Sequence, residues 1–108
     1  MSIKTQLQAD LREAIRARDD LRKSVIRLTL AAITNAEVEQ RRELDDAAIV
    51  AVLHKEARKR EETIAELERA DRPEQLEREK AEMAILDEYT PAMMTRDEIA
   101  ARARKVME

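Results

Sequence analysis

The chain has 108 residues, of which 42% are charged and 44% apolar, with a net charge of −3 and no Gly, Phe, Trp or Cys. That length allows one domain, or one domain with a small appendage. The absent residues exclude disulfides, thiol chemistry and Gly-rich phosphate loops.

The apolar fraction is built of Ala, Leu, Ile, Val and Met, a composition that favours long helices over strands. No segment approaches the roughly 18 apolar residues that mark a membrane span. The N-terminal MSIKTQLQADL has no apolar run of signal-peptide length. The expectation is a soluble cytoplasmic protein. Charge is uneven along the chain: residues 1–30 carry seven Lys/Arg against four Asp/Glu, and residues 74–88 carry two against six.

Ser2 is placed to cap a first helix whose Ile3, Leu7, Leu11 and Ala14 share a face. Asp19-Asp20 interrupts the pattern, and a second helix is expected from about Leu21 to about Arg42. Leu21, Val25, Leu28, Ala32 and Ala36 line one of its faces, and Ile26, Leu30 and Ile33 an adjacent one. Such a wide apolar arc predicts the centre of a bundle. Lys23, Arg27, Thr34 and Arg41 are left for water.

Asp45-Asp46 marks the next start. A third helix is expected over 47–70, with Ile49, Leu53, Ala57, Ile64 and Leu67 in one narrow arc. Arg72-Pro73 ends it and opens a fourth helix, from about Glu74 to Tyr89, with Leu76, Met83 and Leu86 facing inward. Thr90-Pro91-Ala92-Met93-Met94 is the longest break. Thr95 and Glu98 form a capping box for a short fifth helix with Ile99, Ala103 and Val106. The fold class is therefore all-α: an antiparallel four-helix bundle over residues 1–90, then the start of a tail unit over 91–108.

Candidate chemistry is sparse. One His and no Cys supply no metal site, and no catalytic constellation or cofactor site is recognisable. His54 lies at the edge of an apolar face and reads as a boundary residue. Arg60 falls inside the apolar arc of the third helix, and Glu79 inside that of the fourth. Across an antiparallel pair they are candidates for a partly buried ion pair that fixes helix pairing. The alternative has Arg60 laying its stem over the core and reaching water.

The run KEARKREE at 55–62 is self-neutralised by the i, i+4 pairs Glu56–Arg60 and Arg58–Glu62, and no aromatic side chain interleaves it. Lys4, Arg12 and Arg16 make a better candidate stripe for RNA contact. Tyr89, the sole Tyr, is expected to pack on the bundle end as a latch, with Pro91 terminating the helix behind it.

The segments SVIRLTLAAITNAEVEQ, LDDAAIVAVLHKEARKREETIAEL and ADRPEQLEREKAEMAILDEYTPAMMTRDEI, in this order and spacing, resemble the YqeY family. These small proteins are similar to the C-terminal region of GatB, the tRNA-binding subunit of the glutamine-dependent amidotransferase that converts mischarged tRNA. The resemblance covers nearly the whole chain. Thr90 stands where the family usually has Leu, in Tyr-Leu-Pro. Members usually continue into a longer helical tail, and in GatB that tail touches tRNA. The resemblance implies a translation-associated module that acts through tRNA or an amidotransferase partner. Transfer by similarity would label it a carbon–nitrogen ligase with glutamine as amido donor, but it carries over no catalytic residue. The other readings are a protein-interaction adaptor without a nucleic-acid role and, less favoured, a small-molecule enzyme. Oligomeric state is left open.

Overall fold

The computed structural model describes residues 2–90, and all of its regular structure there is helical: α1 (Ile3–Ala17), α2 (Asp20–Gln40), α3 (Asp46–Ala70) and α4 (Pro73–Asp87). The expected fifth helix, its Thr95–Glu98 capping box and Pro91 lie outside the described residues.

The helix starts follow local chemistry. Ser2 Oγ accepts the Thr5 amide at 3.1 Å, Asp19 Oδ1 the Arg22 amide at 3.1 Å, and Asp45 Oδ1 the Ala48 amide at 2.9 Å. Each oxygen satisfies an amide that the helix leaves without a carbonyl partner. α4 has no side-chain cap and starts instead with Pro73 in its first turn, where the missing N–H costs nothing.

The helix ends are less comfortable. Without glycine, the left-handed C-cap positions fall to Arg18, Arg41 and Asp71, with φ of 58°, 55° and 53°. A non-glycine residue in this region carries a steric cost of roughly 1–2 kcal/mol. Arg41→Gly is therefore expected to stabilise the protein by about 0.5–1 kcal/mol, read as a higher urea midpoint at unchanged slope.

Cross-links give the helix directions. Lys4 at the start of α1 meets Glu37 near the end of α2 at 2.9 Å, so these two run antiparallel. Arg22 at the start of α2 meets Glu88 just beyond α4 at 2.8 Å. The Ile3 amide donates to Asp46 Oδ1 at 3.1 Å, which brings the starts of α1 and α3 together.

The core gathers Leu7, Val25, Ile26, Ile33, Ile49 and Leu53 in the body, closed by Ile85, Leu86 and Tyr89 from the end of α4. The inner face of α2 is Val25, Ile26, Thr29 and Ile33, which fall within about 100° of arc at 100° per residue. Thr29 is tolerated there because its hydroxyl donates to the Val25 carbonyl at 2.7 Å.

Leu28, expected on the inner face, is 60% exposed and lies outside that arc. Ile64, Leu67 and Leu76, also expected inward, are only half-buried. They sit on the distal part of the α3–α4 hairpin, where no residue from 61 to 80 is fully buried.

Candidate functional site

The hairpin stands against α2 and leaves an open groove of about 420 Å³ between them. Its floor is Leu28, Ala31, Ala32 and Asn35 of α2, and Glu56, Lys59 and Thr63 of α3 form the facing wall. At the back, the helical spacing of Ala57, Arg60 and Ile64 turns Arg60 inward, toward α4.

There the Arg60 guanidinium lies 3.4 Å from Glu79 Oε2 and 2.5 Å from Glu82 Oε2. The three side chains are only 13%, 22% and 14% exposed. Arg78, one turn before Glu82, holds its second oxygen at 3.1 Å. The result is a charge network of two arginines and two carboxylates, bridging the two helices of the hairpin. The expected ion pair was Arg60 with Glu79 alone, and Glu82 joins it as a second carboxylate. Its signal was its place three residues after Glu79 on the same face of α4.

The i, i+4 pairs expected in KEARKREE give way to this arrangement. Arg60 leaves Glu56 for α4, and Glu56 is met by Lys59 at 3.7 Å. A partly buried site in which one guanidinium nitrogen meets two carboxylates outcompetes a solvated helix-surface pair, which is worth only about 0.2–0.5 kcal/mol.

A second cluster closes the opposite end of α4. Tyr89 is 7% exposed, and its hydroxyl donates to Asp10 Oδ2 of α1 at 2.7 Å. Burial, and then the Asp10 carboxylate, push the phenol up to about 12. Beside it the Glu88 carboxylate, bonded to Arg22, raises the guanidinium above its ordinary value. Thr90 is buried as well, with its hydroxyl donating to the Asp87 carbonyl at 3.1 Å. Asp10, Arg22 and Glu88 had no distinguishing pattern in the sequence, because each sits among other charges on a solvated-looking helix.

The candidate RNA stripe is not one continuous set of cations. Lys4 is tied to Glu37, which also accepts the Leu44 amide at 3.0 Å. That backbone bond, and then Lys4, hold the Glu37 carboxyl below the usual carboxylate range. Arg16 pairs with Glu13 at 2.7 Å but keeps 75% of its side chain exposed, and Arg12 is exposed one turn before it. His54 is half-buried on α3. Among the described residues no group of His, Cys, Asp and Glu could hold a metal ion, and no helix is long and apolar enough to cross a membrane.

Three curated relatives share the name "Altered inheritance of mitochondria protein 41, mitochondrial". The Kluyveromyces lactis protein is 34% identical over 104 residues, 94% of this chain and 56% of the relative. The Lachancea thermotolerans protein is 37% identical over 84 residues, 77% and 45% of the two lengths. The Eremothecium gossypii protein is 34% identical over 100 residues, 90% and 55%. The chain thus spans about half the length of the curated relatives it matches.

These relatives are named as mitochondrial, which overturns the expectation of a cytoplasmic location. That expectation leaned on absent cysteines and absent apolar runs, and neither distinguishes one reducing aqueous compartment from another. The family model described as Yqey-like protein matches residues 4–108, and the chain belongs to the YqeY family.

Proposed function

We propose that the chain is a helical binding module of the translation apparatus, acting through tRNA or an aminoacyl-tRNA amidotransferase partner. Family membership supports this reading, through the likeness of YqeY proteins to the tRNA-binding region of GatB. The observation that carries it is the exposed pair Arg12 and Arg16, one turn apart on α1. Arg16 keeps 75% of its side chain exposed although it pairs with Glu13, whereas the side chains of Lys4 and Arg60, also held by carboxylates, are 32% and 13% exposed. Amido-transfer chemistry is assigned to the partner, because among the described residues no group is arranged to perform it. In this proposal residues 1–90 form the docking body and residues 91–108 open a tail unit.

The test is tRNA binding over a salt series. Affinity falls as salt rises, and Arg12→Glu with Arg16→Glu weakens binding at least tenfold and flattens the logarithmic salt slope by about 2. Binding indifferent to salt and to both substitutions defeats the RNA reading.

A second reading, a protein-interaction adaptor, is favoured by the exposure of two large apolar side chains of α2, Leu28 (60%) on the groove floor and Val38 (72%) outside the groove. An adaptor retains one protein partner after nuclease treatment. Leu28→Glu, and not Arg12→Glu, then releases it.

A further inference from the structure

The groove between α2 and the hairpin has an apolar floor with a charged wall and back, and nothing in the bundle fills it. Leu28 is one of the most exposed large apolar side chains of the described residues, and it sits at one end of this floor beside the exposed Ala31. A floor of small residues bounded by one Leu suits the approach of a helix rather than a compact ligand.

The chain itself supplies a helix of matching character. The geometry points to residues 95–106 of the same molecule as the occupant of the groove. Three observations converge on this assignment. The first is the exit point. Tyr89 and Thr90 are buried, and Glu88 is bonded to Arg22, so the chain leaves the bundle beside the start of α2. Leu28 lies six residues further along α2 than Arg22, about 9 Å by helical rise. Residues 91–94 in extended form span about 13 Å, enough to reach the near end of the groove.

The second is the apolar pattern. In the helix read from the Thr95–Glu98 capping box, Ile99, Ala103 and Val106 recur at i, i+4 and i+7, giving one narrow stripe. A narrow stripe with a central Ala matches a narrow floor whose centre is Ala31 and Ala32.

The third is charge. At about 100° per residue, Arg96 and Arg102 flank that stripe at about 60° on either side. The wall and back of the groove carry three carboxylates, Glu56, Glu79 and Glu82, against the two cations Lys59 and Arg60. Lys59, Arg60 and, from outside the groove, Arg78 already meet these carboxylates, so a helix with a basic rim extends an existing charge network rather than neutralising a free surplus. Docking there also covers Leu28, and it takes the apolar stripe out of water.

This assignment does not depend on the RNA reading. Arg12 and Arg16 lie on α1 and line no part of the groove.

The absence of cysteine makes the test direct. A nitroxide is attached to Ala103→Cys in the full chain, and paramagnetic broadening of backbone amides is recorded. Docking predicts that Ala31, Ala32 and Thr63 lose most of their intensity, while amides around Ser2 and Asp46 keep theirs. Leu28→Glu, a surface change that leaves the core intact, restores the lost intensity. A second sample mixes spin-labelled, isotope-free chains with isotope-labelled, nitroxide-free ones. Broadening of the same amides in that mixture assigns the groove to a second copy and overturns the proposal. Absence of site-selective broadening in both samples overturns it too.

Discussion

Arg60→Met lowers the stability of the protein by about 2–3 kcal/mol, read as a reduced denaturant midpoint. The substitution keeps most of the aliphatic volume, so little of the loss comes from packing. It comes from Glu79 and Glu82, which remain 22% and 14% exposed and face each other without their shared cation. Removing one partner of a fully buried pair costs about 3–5 kcal/mol, and partial solvent access reduces that figure here. Arg78 still reaches Glu82 and supplies part of the compensation.

The same reasoning predicts an asymmetry. Arg60→Met combined with Glu79→Gln and Glu82→Gln recovers about half of the loss or more, because the exposed liability is charge rather than shape. A double-mutant cycle on Arg60 and Glu82 gives a coupling energy of at least about 1 kcal/mol, above the usual range for exposed pairs. A loss below about 0.5 kcal/mol for Arg60→Met would place the network among ordinary surface pairs. We propose that these residues fix how α3 and α4 pair, since one arginine that must face two carboxylates admits fewer registers than an all-apolar seam.

The helices were legible because their signals are local. Caps at Ser2 and Asp45, the breaks at Asp19-Asp20 and Arg72-Pro73, and apolar spacing at 3.6 residues act within one or two turns. Which apolar residues are covered is a tertiary fact, and there the sequence misleads. Leu28 and Val25 look alike in a list of apolar residues, yet one is 60% exposed and the other fully buried. Thr29 enters the core although it is polar, because its own helix offers a carbonyl for its hydroxyl.

Site residues divide in the same way. Arg60 and Glu79 stand out because each is a charge inside an apolar arc. Asp10 and Glu88 do not, because a charged residue on a charged face carries no mark of the long-range bond it makes. Lys4 shows the converse: its charge invites an RNA reading, and only the fold places Glu37 against it.

The variant Tyr89→Ala is expected to lose about 3–4 kcal/mol, and Tyr89→Phe about 1–1.5 kcal/mol. The larger figure combines loss of a buried ring with the void it leaves where α1, α2 and the end of α4 meet. The smaller one isolates the hydroxyl, whose removal leaves Asp10 with Gln6 as its remaining bonded partner.

The same phenol predicts an alkaline weakness. Its folded value is about 12, against 10 for an exposed tyrosine, so the folded state holds this proton more tightly than the unfolded chain. Its contribution is fully present below pH 10 and is lost as pH rises from there through about 12. The loss reaches about 2–3 kcal/mol once the phenol is ionised in both states. As the chain has no other Tyr and no Trp, ultraviolet absorbance follows this one group. The titration midpoint lies above 10 in the native protein and falls toward 10 in denaturant. In Asp10→Asn it falls part of the way, because burial persists while the carboxylate is gone. A native midpoint at 10 would mean that the ring is in water, and that the end of α4 is not held to α1 by this bond.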